Sequence, residues 1–224
     1  MVSIIVPVLN EERKIAALVD LLKALEGQKE ILVVDGQSSD RTAALAESAG
    51  AVVIRSGRGR GVQMHAGAQA ARGDVLWFVH ADSLPSPQSL QSIENAFREG
   101  NAVAGNCSLV FGGNSRSARQ MTWIYPKLRW LGLSYGDAGI FVRRSAYDAI
   151  GGFRDYGLFE DLDLIRRLKP LGRFVHLACP IVTSSRRFEG RKYLGAWTRW
   201  ITLQLLYWSG VSPRRLARWY PPAN

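Results

Sequence analysis

Apolar and polar positions along this chain fall into short blocks, and the block with the sharpest edges is Gly73-Asp74-Val75-Leu76-Trp77-Phe78-Val79-His80-Ala81-Asp82-Ser83. A turn residue opens it, five consecutive apolar residues follow, and the run stops on a histidine and an aspartate. An uninterrupted apolar run this short, bounded by turn signals, predicts a strand buried on both faces. Its polar residues then stand at the carboxyl end of the strand, the edge of an open α/β sheet where ligands bind.

The pattern continues on either side. Residues 3–8 are a β-rich run, and Asn10 is placed to cap a helix with Glu11 and Glu12 in its first turn, where acidic side chains suit the helix dipole. Ile15, Leu18, Val19, Leu22 and Leu25 then recur at helical spacing. A second strand at 30–34 ends on Asp35-Gly36, Ser38 is placed to cap a helix bearing Ala43, Ala46 and Ala49, and a third strand covers 51–54. Strand and helix alternate three times in about sixty residues, which predicts βαβ units and right-handed crossovers.

The loop Ser56-Gly57-Arg58-Gly59-Arg60-Gly61 opens a further helix to about residue 71. Past Asp82 the pattern predicts a helix over 86–97 with Pro87 at an early position, a strand over 102–111 and a mixed aromatic segment over 115–131. A turn feeds a short strand over 134–142, a helix runs through 159–168, and short strands lie near Phe174 and Ile181. A basic segment with Arg186, Arg187, Arg191 and Lys192 precedes a final helix over 194–209. The expected fold is α/β: one Rossmann-like, mixed and mostly parallel sheet flanked by helices over 1–190, followed by a helical extension over 191–224.

Length and composition change this picture little; charge changes it more. A chain of 224 residues with 47% apolar and 21% charged residues suits one globular domain. A formal charge of +10 attracts polyanions, and nucleic acid, an anionic membrane and a phosphorylated substrate all qualify. The two cysteines, Cys107 and Cys179, lack metal-knuckle or redox-pair spacing and read as buried thiols of a reducing compartment. The first residues lack signal-peptide features, and no apolar run approaches the roughly 20 residues that span a bilayer. The expectation is cytoplasmic, with peripheral contact to the inner face of the membrane. That contact would use the last helix, where Trp197, Trp200, Ile201, Leu203, Leu205, Leu206, Tyr207 and Trp208 precede Arg214, Arg215, Arg218 and Trp219. An aromatic helix packed on its own domain has the same composition.

Three acidic features fall at or just after expected strand ends: Asp35, Asp82 and Glu160-Asp161. A nucleotide site needs an acceptor for base or ribose, a cation for the diphosphate and a group that moves a proton, and carboxylates serve each need. Taken singly, Asp35-Gly36 is also a turn, Asp82 also a helix cap, and Glu160-Asp161 also first-turn residues.

Together, and in this order, they resemble the family 2 glycosyltransferases of the GT-A fold. The resemblance rests on Val6-Pro7-Val8-Leu9-Asn10-Glu11-Glu12, Val33-Val34-Asp35-Gly36-Gln37-Ser38-Ser39-Asp40, His80-Ala81-Asp82 and Phe159-Glu160-Asp161. The Arg-Gly-Arg-Gly loop, His80-Ala81-Asp82-Ser83 and Gly136-Asp137-Ala138-Gly139-Ile140-Phe141-Val142-Arg143-Arg144 look more narrowly like the radical-SAM/selenodomain-associated transferase 2 subgroup.

The resemblance implies an inverting transfer of a sugar from a UDP-sugar or GDP-sugar to an acceptor hydroxyl, lipid-linked if the last helix meets a membrane, with no nucleic-acid partner. Pro7, Asn10 and Glu12 would line the nucleotide pocket, and Asp35 would accept a hydrogen bond from the base. Ala81 and Asp82 would meet the nucleotide sugar, Asp82 holding a divalent cation. Asp161, with Glu160 beside it, would be the general base, and Gly136 and Asp137 would form the wall facing sugar or acceptor. Two positions depart from the family pattern. His80 replaces the first aspartate of Asp-x-Asp, either as a second metal ligand or as a buried, hydrogen-bonded histidine. Magnesium prefers oxygen and manganese tolerates imidazole better, so both Mn2+ and Mg2+ stay open. Ala138 stands where glutamine is common.

Arg58 and Arg60 lie on a glycine-rich loop that would face an anion near a helix start, and Arg186 and Arg187 would reach the diphosphate. The loop is not a dinucleotide fingerprint, since it follows the third strand. A sugar-phosphate nucleotidyltransferase is an alternative, but it calls for a glycine-rich basic loop after the first strand, where Val8-Leu9-Asn10-Glu11-Glu12 stands. A non-catalytic basic protein binding nucleic acid or membrane explains the charge and leaves the acidic signatures unexplained.

Overall fold

The computed structural model describes residues 1–98, 100, 102–113, 115–130, 136–184 and 193–219. Its strands are β1 (Val2–Val8), β2 (Lys29–Asp35), β3 (Val52–Arg55), β4 (Val75–Phe78), β5 (Ser83–Pro85), β6 (Ala102–Gly112), β7 (Phe141–Arg143) and β8 (Arg173–Ser184). They form one mixed sheet in the order β3-β2-β1-β4-β7-β6-β8-β5. β1 runs parallel to β2 and β4, β2 to β3, and β6 to β8. β7 joins β4 to β6 in antiparallel sense, and β5 closes the far edge on β8.

The helices are α1 (Ile15–Ala24), α2 (Thr42–Ser48), α3 (Arg60–Ala70), α4 (Ser89–Arg98), α5 (Arg116–Trp130), α6 (Arg144–Ala149), α7 (Glu160–Leu168), α8 (Tyr193–Trp208) and α9 (Pro213–Ala217). They cover both faces of the sheet, and period-2 alternation along the strands decides which side chains each face receives. Val75, Trp77 and Val79 join Ile4, Val6 and the α1 and α4 residues Leu18 and Leu90, while Leu76 and Phe78 join Ile5, Met64 of α3 and Leu164 of α7. The five-residue apolar run is thus buried on both faces, each fully buried side chain contributing about 1.5–3 kcal/mol.

Several expectations are corrected. Asn10 does not cap α1: its φ is 56°, one turn intervenes, and its Oδ1 instead accepts from the Ser39 amide at 2.9 Å. Asparagine tolerates the left-handed conformation, so it serves a loop crossing here. Ser38 does not cap α2 either; Asp40 receives the Thr42 amide at 2.9 Å, and Ser38 Oγ accepts from the Asn10 amide. The residues after Asp82 form β5, so Asp82 caps no helix, and α4 starts only at Ser89, after a turn in which the Ser89 amide reaches Ser86 O.

The mixed segment is the continuous helix α5, the two short strands near 174 and 181 are the single strand β8, and α9 is additional. Pairing of β6 with β8 brings the two thiols together, Cys107 Sγ and Cys179 Sγ lying 3.0 Å apart, both reduced and buried. Ser134, Tyr135, Arg186, Arg187, Arg191 and Lys192 lie outside the described residues.

Candidate functional site

Because β1, β2, β3 and β4 are parallel, the segments leaving them gather on one edge: 9–14, 36–41, 56–59 and 79–82. The first two are laced together. The Asn10 amide donates to Ser38 Oγ at 2.9 Å, the Glu11 amide to Thr42 Oγ1 at 2.8 Å and the Glu12 amide to Asp40 Oδ2 at 3.2 Å, while Glu12 Oε2 lies 3.4 Å from Arg41 Nε. Pro7 is buried within β1 opposite Val34. Asn10 and Glu12 therefore shape the rim through their own hydrogen bonds.

Asp35 ends β2 as a buried carboxylate that accepts from the Ser38 amide through both oxygens, at 3.1 and 3.3 Å. Beside it opens a cavity of about 420 Å³ lined by Asp35, Gln37, Ser38, Asp40 and Arg55. Burial, which pushes the Asp40 pKa up, is outweighed by hydrogen bonds from the Thr42 hydroxyl and amide and the Glu12 amide, so its carboxyl titrates below the usual carboxylate value.

Beneath this rim, Gln63 of α3 donates through Nε2 to Val8 O and Val34 O, both at 2.8 Å, clamping the ends of β1 and β2. A Cβ on Gly36 would sit 2.8 Å from this amide, so the clamp requires glycine. The sequence alone does not mark Gln63 as a site residue. Its signal was a polar residue within the helical stripe Gln63, Met64, Gly67, Ala68, Ala71.

At the end of β4, His80 is 8% exposed and its Nδ1 lies 2.9 Å from Asp137 Oδ1, while Ser83 Oγ reaches Asp137 O at 3.5 Å. Asp137 sits in the one-turn 3-10 helix Gly136–Ala138, so the expected sugar or acceptor wall meets the expected cation turn. Ala81 is buried. Asp82 is half-buried and has no hydrogen-bond or ion-pair partner among the described residues.

The third element is the start of α7. Phe159 takes φ 62° and delivers Glu160 into the interior, 2% exposed, with Oε1 2.9 Å from Arg60 Nε and with Oε2 unpartnered among the described residues. Asp161 is half-buried, its Oδ1 accepting from the Leu162 amide at 2.8 Å. Asp163 is a structural anion, held by Arg167 at 2.7 Å and Arg154 at 3.4 Å. Arg60 and Arg58, expected to face one anion together, are separated in role: Arg60 is engaged by Glu160, and Arg58 stays exposed on its loop.

Non-glycine residues with positive φ are uncommon and mark strained, often functional positions. Among the described residues there are three, Asn10, Gln37 and Phe159. Asn10 is itself a candidate, Gln37 follows Asp35-Gly36, and Phe159 precedes Glu160-Asp161.

A magnesium or manganese ion serving a nucleotide is commonly held by one or two carboxylates plus substrate phosphates. Asp82 offers such a carboxylate, free of competing partners among the described residues. Those residues hold no cluster of three or more His, Cys, Asp or Glu able to bind an ion. The donor set fits an ion shared with a bound diphosphate. His80 Nδ1 is turned to Asp137.

Residues 3–154 match the family model described as Glycosyl transferase family 2. Among curated relatives, the chain is 27% identical over 163 residues to an undecaprenyl-phosphate 4-deoxy-4-formamido-L-arabinose transferase of Proteus mirabilis, covering 63% of this chain and 48% of that protein. It is 24% identical over 230 residues to the probable glycosyltransferase YdaM of Bacillus subtilis, covering 89% and 54%. The chain spans about half the length of these curated relatives.

Among solved structures, glucosyl-3-phosphoglycerate synthase from Mycobacterium tuberculosis in complex with Mn2+, UDP and glucosyl-3-phosphoglycerate superposes with a TM-score of 0.66 at 22% identity, over 95% of this chain and 81% of that one. S. aureus TarS 1-349 in complex with UDP-GlcNAc gives 0.66 at 19% identity, over 92% and 66%. These likenesses identify the fold as GT-A.

Proposed function

The chain is a member of glycosyl transferase family 2, and from that premise we propose that it transfers a hexose from a UDP-sugar to an acceptor hydroxyl in one inverting displacement. The observation that carries this reading is the backbone: the three non-glycine residues with positive φ among the described residues sit at or beside Asn10, Asp35 and Glu160-Asp161, and the first two of these share one edge with Asp82.

In this reading Asp35, buried and pre-oriented by the Ser38 amide, receives the base beside the cavity. Asp82 holds Mn2+ or Mg2+ together with the donor diphosphate; the ion supplies Lewis-acid stabilisation of the charge that develops on the departing UDP. Asp161 accepts the proton of the acceptor hydroxyl as its oxygen bonds to the anomeric carbon, and the broken carbon–oxygen bond leaves its electron pair on UDP. Glu160 is a positioning residue, because its buried carboxylate is committed to Arg60. His80 acts likewise, holding Asp137 toward sugar or acceptor. Arg58 is the exposed cation available to the diphosphate.

UDP is favoured over GDP because the M. tuberculosis and S. aureus neighbours were crystallised with uridine nucleotides. Relatives named for undecaprenyl-phosphate sugar transfer support a lipid-linked acceptor. The loop at 57–61 and the run at 136–144 support membership of the radical-SAM/selenodomain-associated subgroup.

A thermal-shift screen of UDP- and GDP-sugars with and without Mn2+ tests the reading. Stabilisation by UDP-sugars that needs the ion is expected; no stabilisation by any nucleotide sugar overturns it.

A further inference from the structure

Residues 164–224 carry twelve of the 29 Lys and Arg residues and one of the 19 Asp and Glu residues, so the +10 charge is collected in the last part of the chain and the remainder is close to neutral. This basic part contains α8, whose two sides differ in an unusual way. Leu203 is buried in a cluster with Leu158, Phe159, Leu162 and Leu216 of α9. On the other side Ile201, Leu205 and Trp208 recur at i, i+4 and i+7, with Leu205 and Trp208 56% and 57% exposed. A helix packed on a water-facing surface places charged side chains on such a stripe. Past the turn that follows, Arg214, Arg215, Arg218 and Trp219 are also exposed, on and just after a helix pinned by Leu216.

Exposed tryptophan and aliphatic side chains beside guanidinium groups suit a helix lying in the headgroup region of a bilayer. We propose that the exposed face of α8 and α9 docks this protein on an anionic lipid surface. Anionic headgroups complement the arginines while the acyl boundary takes up Ile201, Leu205 and Trp208. A second copy is the poorer occupant, because a two-fold contact through this face sets the same arginines against one another. Nucleic acid would pair with the arginines and leave the aliphatic stripe in water.

The placement bears on acceptor choice. The cluster that buries the inner side of α8 and α9 includes Phe159, whose left-handed backbone delivers Glu160 and Asp161, and Gly157 packs closely on Ala217. The docking face is therefore the back of the layer that carries Asp161, and, resting on the transferase reading, a docked molecule takes its acceptor from the lipid phase.

The test uses the whole chain with vesicles of phosphatidylcholine alone and of phosphatidylcholine mixed with phosphatidylglycerol, read by co-sedimentation. Binding to the mixed vesicles alone is expected, weakening as salt is raised. Leu205→Gln with Trp208→Gln should abolish it, and Arg215→Glu with Arg218→Glu should weaken it on the order of a hundredfold. No binding to either vesicle, equal binding to both, or binding unchanged in both double variants overturns the proposal. A concentration-dependent dimer in sedimentation velocity that the Leu205/Trp208 variant abolishes also overturns it in favour of self-association. UDP with Mn2+ is titrated into the same proteins by thermal shift. Failure of UDP to stabilise any of them counts against the transferase reading alone, while vesicle binding is scored independently.

Discussion

His80 Nδ1 lies 2.9 Å from Asp137 Oδ1, joining the end of β4 to the turn that leads into β7. Removing the carboxylate leaves a nearly buried ring nitrogen unpaired. Asp137 is itself 44% exposed, so the loss is screened by water. Asp137→Ala should destabilise the fold by about 1 kcal/mol in chemical denaturation and lower kcat/KM at least about tenfold, with UDP affinity little changed. A tenfold loss of UDP affinity would instead move Asp137 to the nucleotide side.

Asp82→Asn keeps the shape of the side chain and removes its charge. Since Asp82 has no partner among the described residues, the melting temperature of the nucleotide-free protein should change little. The Mn2+-dependent part of UDP stabilisation should disappear. Retention of that dependence would exclude Asp82 as the ion's ligand.

Asp161→Asn separates binding from chemistry. UDP with Mn2+ should still stabilise the variant, while transfer should fall by about two to four orders of magnitude, the range of a lost general base. Product analysis with an acceptor set checks this, and near-normal turnover would remove Asp161 from the role.

Arg60→Ala strands the buried Glu160 carboxylate. Breaking a fully buried pair costs about 3–5 kcal/mol, and since Arg60 is 43% exposed, about 1–3 kcal/mol is expected here. Adding Glu160→Gln should restore much of that loss, a non-additivity that a double-mutant cycle in urea measures directly.

Asp40→Ala tests the second loop. Loss of the hydrogen bonds to Thr42 should cost about 1 kcal/mol near neutral pH. Asp40 titrates below the ordinary value of 3.8 when folded, so its contribution is present above that value and is lost as pH falls through the lower folded one. The melting-temperature gap between wild type and variant should therefore close on acidification below 3.8.

The frame of the molecule was legible because each βα unit declares itself locally: the run Val75-Leu76-Trp77-Phe78-Val79 has no polar position to spare, and Ile15, Leu18 and Leu22 mark one helix face. Asp35, Asp82 and Asp161 were legible because each ends or follows such a block. The long-range pairs beside them were not. His80 meets Asp137 and Arg60 meets Glu160 across 57 and 100 positions, distances that only the closed sheet resolves. In sequence Asn10 and Ser38 look like helix caps, because their side chains have the same capping chemistry whether the partner amide is local or on a neighbouring loop.

The sheet is assembled from contacts of very different reach. β1, β2 and β3 are successive in the chain and neighbours in space, whereas Gly105 on β6 meets Val175 on β8, and that pairing must close a loop of about seventy residues. Loop closure delays non-local strand pairing, so the half with Asp35 is expected to gain amide-exchange protection first during refolding, and the half that seats Asp137 last.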